Sequence, residues 1–335
     1  MSPTGADGPR GPIAIYHEHP DWFRPLFAEL DRRGLPWVRL DAGSHTFDPA
    51  DEAPEWSLLL NRMSPSAYLR GHASSIFFAG QFLGWLEDAG VRVVNGRKAW
   101  ETEISKAAQL SLLARLGLPA PRARVIHRPE QAPEAARGLR FPVVVKPNIG
   151  GSGAGVRRFD EPETLAAEAS GLDLGIDSTA LVQEFIPAEE GRIVRVEVLD
   201  GRFLYAIRVY TDGAGFNLCP ADVCQRVDGA ELERTACPVD APKNGLRVEG
   251  YQPPAEIVAD VERIMAEAGI ELGGVEYMID ERDGQLYYYD INALSNFVAD
   301  APNVVGFDAF VRLVDWLERE AGLAPVAAAA AGGAR

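Results

Sequence analysis

The stretch GGVEYMIDERDGQLYYYDIN, residues 273–292, constrains this 335-residue chain more than any other: two apolar, aromatic-rich runs flank one short polar turn containing glycine. That pattern predicts an antiparallel hairpin. With the turn ERDG centred on Asp283, Glu276 lies directly opposite Asp290, and Asn292 follows two positions on, so the three side chains project from one face. Facing carboxylates with Cβ atoms about 5 Å apart repel, so a cation is expected between them. Two carboxylates and an amide oxygen are hard donors that suit Mg²⁺ or Mn²⁺, ions that complete their shells with water and substrate phosphates. Read without an ion, the same residues are a solvated acidic edge.

A second hairpin supplies a place for phosphates. In FPVVVKPNIGGSGAGVRRF (141–159) an apolar strand carries Lys146 at its end, a loop holds Gly150, Gly151, Ser152, Gly153 and Gly155, and a second strand returns. Glycines let backbone N–H groups approach phosphate oxygens without Cβ interference, and Lys146 adds a point charge. A P-loop or a dinucleotide fingerprint would lead from the glycines into a helix, which this order does not. A glycine loop between antiparallel strands reads instead as a flap over nucleotide phosphates. LVQEFIP (181–187) follows as a buried strand whose edge, at Glu184, Phe185 and Ile186, can offer backbone groups and a carboxylate to an adenine ring. GRIVRVEVLDGRFLYAIRVY (191–210) is a third hairpin, carrying Arg195 and Arg208.

The remaining pattern divides the chain. Strands at 12–16, 36–40, 57–60 and 91–94 alternate with helices at 22–34 and 75–89, which predicts a small α/β unit with an open parallel sheet over 12–97. A helix is expected over Thr102–Leu116, closed by Gly117. Beyond it the paired strands imply antiparallel sheets, with helices near 161–171, 254–269 and 306–320 packed on them, an α+β arrangement. Residues 1–11 and 323–335 are expected to be disordered.

Composition narrows the function. Net charge is −16, from 33 basic and 49 acidic residues without a Lys/Arg cluster, so nucleic acid is not an expected partner. No run of about 18 apolar residues occurs and the N-terminus lacks a basic flank followed by an apolar stretch, so a cytoplasmic protein without a membrane partner is the expectation. Cys219, Cys224 and Cys237 cluster while all 5 histidines lie at or before His127, so a local Cys/His zinc site is not expected.

Five segments in order, EISKAAQLSLLARLGLP, VVVKPNIGGSGAGV, LVQEFI, RVEVLDGRFLYAIRV and GGVEYMI...YYYDIN, resemble the ATP-grasp superfamily, and within it the ribosomal-protein glutamate ligases and glutathione synthetases. The resemblance covers roughly residues 100–320. It implies a pre-ATP-grasp α/β domain at 12–97 and an ATP-grasp domain at 98–322, with a small nucleotide-clamping subdomain near 120–187. Carried onto this sequence, it makes Lys106 and Lys146 phosphate contacts, Glu184, Phe185 and Ile186 the adenine hinge, and Glu190 the ribose contact. Arg195, Arg208 and Asn217 would lie near the γ-phosphate, and Glu276, Asp290 and Asn292 would hold Mg²⁺ or Mn²⁺. The implied reaction joins a small-molecule carboxylate to an amine through an acyl phosphate, releasing ADP and phosphate, with amino-acid-like substrates. An ATP-grasp kinase and a non-catalytic ATP-binding protein are the competing readings, and relatives are often dimers or tetramers.

The substrate side rests on fewer residues. Relatives often follow the metal-binding Asn with a Ser-Pro-Gly type turn, whereas this chain reads Ala293, Leu294, Ser295, Asn296, Phe297, which makes Ser295 and Asn296 acceptor-side candidates. Ligands of open α/β sheets bind at the carboxyl ends of strands, where His17, His19, Asn61, Arg62 and Ser64 stand, and Arg62 suits a forked pair with a carboxylate. The long segment 213–240 is read as a lid.

Overall fold

The computed structural model describes residues 11–19, 21–151, 153–210 and 247–323. Ser152, Asn217, the three cysteines, the expected lid at 213–240 and, apart from Gly11 and Leu323, the terminal stretches expected to be disordered lie outside the described residues.

Among the described residues the strands form three sheets. The first is parallel, in the order β2-β1-β3-β4, from β1 (Ile13–His17), β2 (Trp37–Asp41), β3 (Leu58–Arg62) and β4 (Val93–Val94). β1 and β3 are buried along their whole length because helices cover both faces. Ile13, Ile15, Leu58 and Leu60 face the core shared with α1 (Arg24–Arg33), while Ala14, Tyr16 and Leu59 pack towards α2 (Ala73–Asp88). α1 stops at Gly34, which takes the left-handed conformation (φ 64°) that terminates helices at least cost.

The expected helix over Thr102–Leu116 is in fact two, α3 (Arg97–Glu103) and α4 (Lys106–Arg115). The break falls at Ser105, whose backbone is extended and whose hydroxyl accepts from Ala108 N at 3.1 Å, an N-cap that restarts the helix. Lys106 thereby becomes the first residue of α4.

The second sheet, β5-β8-β6-β7, is antiparallel: β5 (Ala123–Ile126), β6 (Val143–Pro147), β7 (Arg157–Phe159) and β8 (Ala180–Glu184). One face packs against α5 (Ala132–Ala135) and α6 (Pro162–Glu168). The third is also antiparallel, in the order β11-β10-β9-β12-β13: β9 (Arg192–Leu199), β10 (Arg202–Tyr210), β11 (Val248–Tyr251), β12 (Leu272–Ile279) and β13 (Leu286–Asn292). Its Val194, Val196, Val275 and Tyr277 pack on α7 (Ala255–Ala268) and α4, while Ile193, Tyr205, Ile207 and Val209 join the core containing α1 and α9 (Ala309–Glu320). The short α8 (Ala301–Val305) precedes α9.

Two ties set the sheets around one cleft. Asn95, just after β4 and itself at φ 56°, donates to Leu272 O (2.6 Å) and Ala293 O (2.7 Å) and accepts from Glu271 N (2.9 Å), locking the first unit to the ends of β12 and β13. At the other end of that hairpin the buried Asp280 takes an ion pair from Arg140, just before β6, at 2.5 Å. No helix among the described residues is long and apolar enough to cross a membrane.

Candidate active site

The central row of the site comes from strand register. Arg195 on β9 pairs with Glu276 on β12, and Glu276 pairs with Asp290 on β13, so three strands present these side chains in one transverse line. Gly274 pairs with Asn292, placing the amide two positions along on the same face, as the hairpin pattern predicts. The hairpin is not regular, however. Between Glu276 and Tyr277 the register shifts, leaving Tyr289 as a bulged residue. Strict alternation would send Tyr289 to the opposite face; the bulge instead brings its hydroxyl to Glu276 Oε2 at 2.5 Å.

The facing acids are neutralised by the chain itself. Arg195 Nη1 donates to Glu276 Oε1 at 2.9 Å, and Lys106 Nζ, from the start of α4, donates to Asp290 Oδ1 at 2.7 Å. Burial pushes the Glu276 carboxyl up against the pull of Arg195, whereas for Asp290 burial is outweighed by Lys106, which holds it low. Lys106 is expected from the resemblance at the phosphates; the structure places its ammonium on Asp290. Asn148 fixes the approach: its Oδ1 accepts from Ala107 N (3.0 Å) and Ser105 Oγ (3.2 Å), binding the start of α4 to the end of β6.

Lys146, at that end of β6, is buried and lines the same cleft, of about 710 Å³. Among the described residues its ammonium has no ion pair and no acceptor, and burial, with Lys106 nearby, pushes its pKa down to about 7. Gly150, Gly151 and Gly153 form one wall. Gly155 has φ 73° and a Cβ there would come within 2.9 Å of Pro147, so this loop conformation requires glycine. Val144, Ile186 and Met278 add apolar lining; Ile291 also borders the cleft, but its side chain lies in the core packed on α4 and α7. Ile186 is buried, and its N–H has no hydrogen-bond partner among the described residues. Glu184 and Phe185 also line the cleft, but Glu184 Oε1 is occupied by Arg140 N (2.9 Å) and Arg122 (3.3 Å).

Several expected residues stand elsewhere. Arg208 pairs with Val194 and therefore projects from the face opposite Arg195; its guanidinium lies 3.8 Å from the Tyr251 ring centre and 3.6 Å from Glu249. The register shift between Phe203 and Tyr205 separates them: unbroken alternation from the Leu199–Arg202 pair would have placed both on one face. Glu190 is exposed and pairs with Arg192 at 2.6 Å rather than lining the cleft. His17 is buried beside Phe23 and Phe27, with Nδ1 against His19 O at 3.1 Å. Asn61 is used structurally, donating to Asn95 O and accepting from Met63 N, both at 3.0 Å.

Asn296 lines the cleft, and its buried Oδ1 has no partner. Ser295 is fully buried; its hydroxyl accepts from Phe297 N at 3.2 Å, and its carbonyl accepts from Arg62 Nη2. Arg62 is 2 % exposed and its Nε and Nη1 have no acceptor. Burial lowers it to about 10, against the attraction of Glu197 and Glu103.

Residues that the sequence reading passed over complete the site. Glu103, at the end of α3, lines the cleft; its Oε2 accepts from Ala293 N, and burial raises its carboxyl to about 7. Its only sequence signal is position, three residues before Lys106. Glu197 bonds Arg195 Nε at 2.5 Å, and lies two residues along the same strand face, a spacing that alternation could have flagged. Trp22 lines the cleft, stacked on His19 at 4.1 Å between ring centres.

Residues 104–219 match the family model described as a RimK-like ATP-grasp domain. The chain is 27% identical over 256 residues to a D-alanine–D-alanine ligase of Geobacter sulfurreducens, covering 72% of this chain and 71% of that protein. It is 31% identical over 137 residues to a probable alpha-L-glutamate ligase of Teredinibacter turnerae, covering 41% of this chain and 45% of the relative. Among solved structures, the ATP-grasp ligase PsnB complexed with a minimal precursor superimposes with a TM-score of 0.64 at 21% identity, over 92% of this chain and 99% of that one.

Proposed function

We propose, for a chain that belongs to the ATP-grasp carboxylate–amine ligase family, that the cleft between the second and third sheets binds ATP and that an amino-acid-like acid and amine are joined beside the row Arg195, Glu276 and Asp290. ATP and Mg²⁺ serve this ADP-forming, C–N bond-forming ligase. The observation that carries the assignment of the site is Lys146: a buried lysine without a protein partner among the described residues, lining the same cleft as a glycine loop, keeps its charge readily only when an anion completes it.

Each group then has a task. Val144 and Met278 flank the adenine, and the unpartnered Ile186 N–H meets its edge. Lys146 and the N–H groups at Gly150, Gly151 and Gly153 neutralise and hold the phosphates. Glu276, Asp290 and Asn292 would hold Mg²⁺: their donor set is hard and lies on one face, although the acids are engaged by protein cations that the ion must replace. When bound, the ion neutralises charge on the transferring phosphoryl group. Arg195, fixed by Glu197, sits where it can share that charge.

The acid's carboxylate oxygen attacks the γ-phosphorus and ADP leaves. The amine nitrogen then attacks the acyl carbon, the bond from that carbon to the phosphate oxygen breaks, and the displaced amine proton departs with phosphate. Catalysis is alignment and charge neutralisation, with no covalent enzyme intermediate. Arg62 leaves two nitrogens, Nε and Nη1, without acceptors but does not line the cleft, so Asn296, whose unpartnered Oδ1 does, is the residue proposed to meet the substrate first, with Arg62, bonded to the adjacent Ser295 carbonyl, the cation for a carboxylate. Trp22, Ser64 and Ser66 form the wall the second substrate would meet.

A screen of ADP release over paired amino acids and small peptides with Mg²⁺ tests the reading. ADP formation requiring both an acid and an amine, with a new amide by mass, is the expected result. Phosphorylation of a hydroxyl substrate with no amine requirement would sink it.

A further inference from the structure

Every carboxylate oxygen of the metal-binding pair already accepts a protein donor. At Asp290, Oδ1 takes Lys106 Nζ (2.7 Å) and Oδ2 takes Asn292 Nδ2 (3.1 Å). At Glu276, Oε1 takes Arg195 Nη1 (2.9 Å) and Oε2 takes the Tyr289 hydroxyl (2.5 Å). A divalent cation cannot simply enter this arrangement; it must exchange with at least one donor, and the displaced charge then favours another anion in a largely buried cleft.

The two protein cations differ in how easily they can yield. Arg195 is gripped twice, by Glu276 and by Glu197, and is rooted in a central strand. Removing it would also strand Glu197, whose buried Oε2 already lacks a partner. Lys106 is held only by Asp290 among the described residues, stands at a helix start rather than in a strand, and its side chain is 20 % exposed. It lines the same cleft as Lys146 and the glycine loop, so a flexible four-carbon stem separates its present partner from the expected position of the triphosphate.

We propose that Lys106 is a built-in counter-cation that occupies Asp290 until nucleotide arrives and then passes to the phosphates, so that divalent ion and nucleotide enter the site together and neither binds strongly alone. The exchange leaves no charge unpaired: the ion takes the Asp290 carboxylate that Lys106 leaves, and the ammonium takes phosphate oxygens. Linkage requires reciprocity, so nucleotide must raise ion affinity by the same factor as the ion raises nucleotide affinity. The inference rests on the proposed metal and nucleotide site.

The experiment uses the full chain, Mn²⁺ as the probe and a non-hydrolysable ATP analogue. Electron paramagnetic resonance measures Mn²⁺ binding to wild type and Lys106→Met without nucleotide, and calorimetry measures analogue affinity with and without Mn²⁺. Wild type alone should bind Mn²⁺ weakly; Lys106→Met should bind it about tenfold or more tightly, the scale of one lost ion pair, and the added change Asp290→Asn should abolish that gain. Lys106→Gln provides the same readout should the methionine variant fold poorly. If Lys106→Met matches wild type without nucleotide while Mn²⁺ still strengthens analogue binding to wild type, the counter-cation role is overturned and the site stands. If Mn²⁺ leaves analogue affinity of wild type unchanged, the metal site falls and this inference with it.

Discussion

Arg195 lies directly over Gly274: a Cβ built there would stand 3.1 Å from Arg195 Nε and 3.1 Å from the Glu197 carboxylate. The two residues sit on adjacent strands, with Gly274 paired to Glu197, so the missing side chain is what lets the Arg195–Glu197 pair cross the strand towards Glu276. Gly274→Ala should shift that guanidinium by a few tenths of an ångström at least. Overpacking predicts a loss of about 1–3 kcal/mol, and a misplaced charge beside the phosphoryl group predicts about a 10- to 100-fold fall in kcat. Thermal unfolding and steady-state ADP release measure the two effects; an alanine variant with normal turnover would remove Arg195 from the reaction.

Lys146 predicts a pH dependence of nucleotide affinity. In the empty site it releases its proton near pH 7, against 10.5 for an ordinary lysine, and a triphosphate favours the charged form. Binding between those values must therefore take up a proton, and affinity should fall as pH rises, by at most about tenfold per unit. In the same window the unfolded chain holds the extra proton, so the nucleotide-free protein gains stability as pH rises. Calorimetry at pH 8 in two buffers of different ionisation enthalpy reads the uptake. Lys146→Met should bind weakly and show no buffer dependence, and uptake persisting in that variant would assign the proton to another group.

How much of this was legible before folding depends on the distance over which each signal acts. Glu276 and Asp290 face each other because hairpin register follows from the turn, and the buried parallel strands β1 and β3 show as unbroken apolar runs. Tyr289 was hidden because a one-residue bulge reverses the face that alternation assigns. Glu103 shows locally only its place three residues before Lys106, and Arg62 only its place at the end of a strand: their burial beside Ala293 and Ser295, residues almost two hundred or more positions away in the chain, is set by tertiary packing. The break between α3 and α4 was written locally, in the Ser105 cap, but apolar spacing on both sides spoke for one helix.

Glu103 gives a second pH effect, in a separate window. The folded carboxyl keeps its proton to about pH 7, while an unfolded glutamate releases it near 4.5. Across that interval the folded chain binds the additional proton, so this group's contribution to stability falls as pH rises, by roughly 3 kcal/mol in all. Glu103→Gln retains an oxygen for Ala293 N–H but cannot ionise. The stability difference between variant and wild type should therefore grow in the variant's favour from pH 4.5 to 7 and level off above. A difference that stays constant through that range would show that Glu103 titrates as an ordinary carboxyl.

The contrast between two arginines separates register from resemblance. Both were expected at the γ-phosphate, yet Arg208 leaves β10 on the face opposite Arg195 and rests on Tyr251 and Glu249. Arg208→Ala should lose a cation–π contact and a half-exposed ion pair, about 1 kcal/mol or somewhat more of stability, with kcat within about threefold of wild type. Arg195→Ala removes the cation that faces Glu276 and should lower kcat by about 100-fold, the scale of one lost electrostatic contact to the transition state. Parallel measurements of kcat and unfolding on both variants decide the matter. Equal losses of turnover would mean that the face of the sheet bearing Arg208 also meets the substrate, and that the cleft described here is only part of the active site.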